Sequence, residues 1–176
     1  TEPLFVPEYW HPLSLFDLAI RTGFDIESLI FSFAIGGIGT VLYNLIFKRR
    51  YVEIPHTERK HAMHRLHIYI LFVPVLAFLV LALFTHLNHI YCGILAMFLG
   101  GIATLYCRPD LKTKIWISGF LFTALYFVYF GSILPFYPDY VELFWNLENL
   151  THILVLGIPI EELLFAFTFG MYWSGL

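Results

Sequence analysis

From Ile26 to Phe47 the sequence carries one charged residue, Glu27, in an otherwise apolar or weakly polar run. About 20 mainly apolar residues are enough for a helix to cross the hydrocarbon of a bilayer. Four more runs have this character: about Ile68 to Leu87, Ile90 to Tyr106, Ile115 to Leu134, and His152 to the end. With 59% hydrophobic and 13% charged residues, the chain departs from the roughly half apolar and one quarter charged make-up of soluble domains. The expectation is all-α: a polytopic membrane helix bundle of about five transmembrane helices, forming one integral membrane domain over residues 1–176. Residues 1–22 and 137–150 are too short and too polar to cross. Their aromatic residues and leucines, interleaved with charges, predict segments that lie in the interface.

Charge sets the orientation. Lys48, Arg49, Arg50, Arg59, Lys60 and Arg65 follow the first run, and Arg108, Lys112 and Lys114 follow the third. Of the ten basic residues only Arg21 lies elsewhere. In a five-span chain both loops, 48–66 and 107–114, fall on one side, which the bias towards basic cytoplasmic loops makes the cytoplasmic side of a cell membrane. Most acids map to the opposite side.

Two phrases then repeat. Residues 23–36 read GFDIESLIFSFAIG and residues 157–170 read GIPIEELLFAFTFG, sharing Gly, Ile, Glu, Leu, Phe, Phe and Gly in register. The first and fifth expected spans run the same way, so Glu27 and Glu161 come to similar depth near the outer face. The implied parallel internal repeat spans around 10–43 and 144–176, with a pseudo-two-fold axis along the membrane normal. A carboxylate at the apolar end of a span is costly, so it usually faces the interior and has a function. Two such groups facing one cavity are candidate acid and base, because a carboxyl in apolar surroundings can hold a proton near neutral pH. The alternative is that Glu27, Glu161 and Glu162 are wet helix-start acids favoured by the helix dipole. Phe31 and Phe33, and Phe165 and Phe167, follow each glutamate at the same spacing. Their rings could stabilise a carbocation or could simply pack.

Other features point elsewhere. His56, His61, His64 and His67 precede the second run; with Arg59, Lys60 and Arg65 they read as a basic helix end meeting anionic head groups rather than a metal site. The glycines at 36–39 and 100–101 read as helix-packing residues. Cys92 and Cys107 sit near opposite ends of one span, roughly 22 Å apart at helical rise, and cannot bridge. No phosphate-binding loop, dinucleotide fingerprint or HExxH motif occurs, so no cofactor, metal or nucleic acid is expected. Residues 1–22 lack the basic start and apolar core of a cleavable signal peptide. The chain starts without Met and stops at Leu176 without a polar flank, so both ends are expected to have been trimmed from a longer protein.

The stretch PIEELLF at 159–165, a Pro-x-Glu-Glu opening a terminal membrane helix, resembles the signature of the lycopene cyclase domain. HPLSLFDLAIRTGFDIESLIFSFAIGG at 11–37 is similar to the opening of bacterial proteins with that domain. The resemblance implies acid-catalysed cyclisation of a polyene end group without net redox change. It carries over Pro159, Glu161 and Glu162 from the motif, and Glu27 through the repeat, with Glu27 and Glu161 as acid and base and Glu162 assisting. The first copy departs from the motif, with Asp25 in place of proline and Ser28 in place of the second acid. The expected partners are a carotenoid or other isoprenoid lipid and the lipid bilayer, with a second membrane subunit or a homo-oligomer as further candidates. A second reading is a non-catalytic carotenoid- or lipid-binding subunit of a larger membrane complex. A Glu-Glu intramembrane protease would need an arginine where Ala166 stands.

Overall fold

The computed structural model describes residues 2–6, 8–49 and 67–176. Short helices α1 (Glu2–Phe5) and α2 (Leu18–Thr22) precede the long α3 (Ile26–Ile46). One helical turn, α4 (His67–Ile70), leads into α5 (Val73–Phe84), α6 (His89–Cys107), α7 (Lys112–Ile133) and the short α8 (Tyr140–Phe144). A hairpin of β1 (Leu154–Val155) and β2 (Ile158–Pro159) then feeds the last helix, α9 (Ile160–Trp173). His56, His61 and His64 of the histidine cluster lie outside the described residues, and His67 opens α4.

Among the described residues three helices are long and apolar enough to cross a membrane: α3, α6, and α7 with the 3-10 turn before it (Pro109–Ile133). They answer to the first, third and fourth expected spans. Side chains mark two of their starts: Asp25 caps α3 by accepting from the Ser28 N–H, and Asn88 caps α6 by accepting from Ile90. The second expected span is a shorter apolar segment, Ile68–Phe84, ending where Thr85 turns to extended backbone.

The fifth expected span needs correction. It does not run as one helix from His152. Leu156 (φ 54°) and Gly157 (φ 82°) form a two-residue turn with both residues left-handed, the geometry that suits tight hairpins. Pro159 then lacks a helix-donating N–H and disfavours helical backbone before it. The helix that remains has 14 residues.

Contacts along the helices fix their directions. Tyr91 meets Glu161, Gly101 faces Met171 and Thr104 faces Gly175, so α6 and α9 run parallel. Tyr126 stacks near Phe165 and Phe122 near Phe169, while Gly119 faces Met171, so α7 runs antiparallel to both. Pro74 touches Gly100 and Phe78 lies by His89, so α5 is antiparallel to α6. Gly36 and Gly39 of α3 lie against Trp173 and Phe169 near the end of α9. The short α9 is therefore the buried centre, with Leu163, Ala166, Phe169 and Met171 inside. Its glutamates lie near Tyr91 at the start of α6, whereas Arg108, Lys112 and Lys114 follow the end of that helix. At 1.5 Å per residue the acidic and basic ends are about 25 Å apart. Cys92 and Cys107 are both buried.

Candidate active site

Adjacent residues on a helix diverge by about 100°, and Glu161 and Glu162 use that divergence to enter different surroundings. Glu161 turns towards α6 and the segment before the hairpin. Its Oε1 accepts from the Tyr91 hydroxyl (2.7 Å), the Thr151 N–H (2.9 Å) and the Thr151 hydroxyl (2.7 Å). Its Oε2 is buried with no hydrogen-bond partner among the described residues. The start of α9 is pinned beside this cluster by Ile160 N–H donating to the Ile153 carbonyl at 2.9 Å.

Glu162 turns the other way. Its Oε1 accepts from the Tyr9 hydroxyl and from the Trp145 indole N–H, the latter at 2.8 Å. These donors come from the segments expected in the interface, 1–22 and 137–150, and backbone pairing holds them together. His11 N–H donates to the Phe144 carbonyl at 2.7 Å, and Asn146 N–H to the Tyr9 carbonyl at 2.9 Å. Glu8, next to Tyr9, shares a hydrogen bond with His89 at the start of α6. The N-terminal segment is thus fastened across the acidic end of the bundle. Burial above all pushes the Tyr9 phenol well above its usual range, so it stays a proton donor.

Both acids are buried, Glu161 to 1% and Glu162 to 8% of their surface; neither is wet. The covers differ in depth. Tyr91 is half-buried and Thr151 exposed, so Glu161 lies one side chain below the surface. Tyr9 and Trp145 are themselves buried, and Phe130 packs behind Trp145 with ring centroids 5.7 Å apart. Glu162 therefore lies in the deeper setting of the two.

The remaining candidates divide. Phe165 belongs with the acids, between Tyr126 and Phe169 at centroid distances of 6.4 and 5.6 Å. Phe167 packs against Trp116 and Phe120 of α7. Pro159 closes β2 opposite Leu154 and precedes α9. Glu27 is exposed and accepts from the Leu15 N–H at 2.8 Å, and Phe31 and Phe33 stand on the exposed face of α3. None of these three enters the contacts around Glu161 and Glu162 described above. Among the described residues no three His, Cys, Asp or Glu side chains gather as a metal site.

Sequence reasoning missed Tyr9, Tyr91, Trp145 and Thr151. The sole local hint was Thr151, ten residues before Glu161 in the approach to the same helix.

These features define a helical membrane protein whose buried centre carries a pair of acids. The lycopene cyclase family model matches residues 88–176, just over half of the chain and all of the Pro-x-Glu-Glu region. The chain belongs to the lycopene cyclase family. No curated protein and no solved structure matches it.

Proposed function

We propose that this protein is a membrane-embedded carotenoid cyclase that closes a ring at a polyene end group by proton transfer, with no net redox change. The observation that carries the reading is the pair of buried carboxyls at the head of α9, neither ion-paired to a cation among the described residues. Two buried carboxyls on adjacent residues do not both ionise readily, so one of them holds a proton. Three donors on Glu161 Oε1 suit a carboxylate, which leaves the proton to Glu162.

In this reading Glu162 gives its proton to the terminal double bond, forming a C–H bond and a cation on the neighbouring carbon. The π electrons of the next double bond close the ring and move the cation onto the ring. Glu161 removes a proton beside that cation, and a new double bond forms. Proton return from Glu161 to Glu162 restores the pair. The faces of Phe165 and Tyr126 offer cation–π stabilisation.

The five-span topology, with basic loops 48–66 and 107–114 cytoplasmic and the acids near the outer face, belongs to the same proposal. The separation of acidic and basic ends along α6 supports it. The parallel repeat is supported by one contact: Gly39 touches Trp173, the residue with which it aligns.

Expression in lycopene-accumulating cells tests the reading. Wild type should yield cyclic carotenoid, whereas Glu161→Gln and Glu162→Gln at equal expression should leave lycopene unchanged. Full ring formation in both variants overturns the acid pair. Lycopene bound but unconverted by the wild type would favour a non-catalytic binding subunit.

A further inference from the structure

We propose that Tyr91 and Thr151 are positioning residues for the reaction, holding Glu161 by Oε1 so that Oε2 alone meets the substrate. This rests on the reading of Glu161 as the proton acceptor. A carboxylate has two oxygens with about four lone-pair sites between them, and donors in a protein usually spread over both. Here all three donors fall on Oε1, while Oε2 is buried and unpartnered among the described residues. Leaving a buried polar atom unpaired costs about 1–3 kcal/mol, and such atoms call for a reason.

The donors also come from two elements other than α9. Tyr91 projects from the first turn of α6, and Thr151 precedes His152, whose φ of 60° turns the chain towards the hairpin. Two anchors from different directions fix the plane of the carboxyl as well as its position. On α9, Leu164 lies one turn beyond Glu161 and is exposed, so the helix face bearing Glu161 opens towards the surroundings of the bundle. An apolar end group arriving from the lipid would reach that face first. An apolar group beside Oε2 brings no competing hydrogen bond, so the oxygen stays free to take a proton from carbon.

The test compares Tyr91→Phe, Thr151→Val and Thr151→Ser in proteoliposomes loaded with lycopene. Each of the first two removes a donor with little change of shape, and Thr151 is exposed, so folding should survive. Thermal unfolding in detergent checks that it does. Tyr91→Phe and Thr151→Val should each lower kcat about 10- to 100-fold with KM within about threefold. Thr151→Ser restores the hydroxyl and should recover kcat to within about threefold of wild type. Lowered thermal stability with kcat unchanged would make the contacts purely structural and overturn the inference. So would a Thr151→Ser variant as slow as Thr151→Val. Glu161→Gln is assayed in parallel. If it keeps full activity, the reading of Glu161 fails; if it is inactive while Tyr91→Phe and Thr151→Val stay fast, only the positioning inference fails.

Discussion

The two copies of the Gly-x-x-Ile-Glu phrase occupy opposite kinds of surroundings. On α3, Glu27 is exposed, Phe33 is 86% exposed, and Gly36 has the Trp173 ring at ordinary contact distance. On α9 the matching Glu161 is buried, Phe167 packs on α7, and Gly170 lies so close to α7 that a Cβ would stand 2.5 Å from the Ser118 carbonyl oxygen. The residues that differ between the copies follow the same division. Asp25 and Ser28 make a side-chain cap for a helix start at the periphery. Pro159 and Glu162 instead join a hairpin to a helix whose second acid is satisfied by Tyr9 and Trp145. One phrase thus opens an exposed helix in the first place and the buried centre of the bundle in the second.

The largest expected contrast is in chemistry. Glu161→Gln should cut ring formation by at least about 100-fold, whereas Glu27→Gln should stay within about threefold of wild type, as read by pigment extraction from lycopene-accumulating cells. An inactive Glu27→Gln variant would make the copies equivalent partners in catalysis and break the contrast.

Next comes packing at the closing glycines. Gly170→Ala should cost about 1–3 kcal/mol or more, because the facing atom is backbone and the Phe122 Cβ would lie 2.7 Å away. Gly36→Ala should be neutral or gain up to about 1 kcal/mol from helix propensity. Thermal unfolding in detergent compares the two.

The helix starts should differ less. Tyr9→Phe removes a donor from buried Glu162 and should cost about 1–3 kcal/mol, against about 1 kcal/mol for Asp25→Ala at the α3 cap. Tyr9 adds a pH signature. Its phenol is raised on folding, so the unfolded chain ionises first and stability should fall as pH climbs above about 10. Tyr9→Phe should flatten that part of the alkaline slope.

The smallest effect belongs to the hairpin, which precedes only the second copy. Leu156 is 83% exposed at left-handed φ, a conformation that costs an ordinary residue roughly 1–2 kcal/mol and asparagine less. Leu156→Asn should therefore raise stability by about 1 kcal/mol; a loss would mean that the leucine makes an apolar contact worth more than the strain.

Much of the scaffold was legible in the sequence. Hydropathy placed α3, α6 and α7 to within a few residues, since a long apolar run has few other ways to satisfy its backbone in lipid. The Pro-x-Glu-Glu stretch pointed to Glu161 and Glu162. Hydropathy misled at 152–159, where Ile153, Leu154, Val155 and Leu156 read as the start of a span. The Leu156-Gly157 turn and Pro159 were the local signals against it. The partners of the acids left no periodic trace, because Tyr9 and Tyr91 lie 153 and 70 residues from the glutamates they bond. Hydrogen bonds across such separations follow from the packing of α6, α7 and α9, which no single segment encodes.

The bond from Tyr9 to Glu162 joins segments 153 residues apart. During synthesis Tyr9 emerges long before α9 exists, and it has no Glu162 carboxyl to close upon until that helix is in place. Contacts of such long range form late and slowly. The acid pair would therefore gain its full set of partners late in assembly. A chain halted before α9 would hold α3, α6 and α7 but neither Glu161 nor Glu162, so on the proposed reading conversion of pigment would report that α9 has docked.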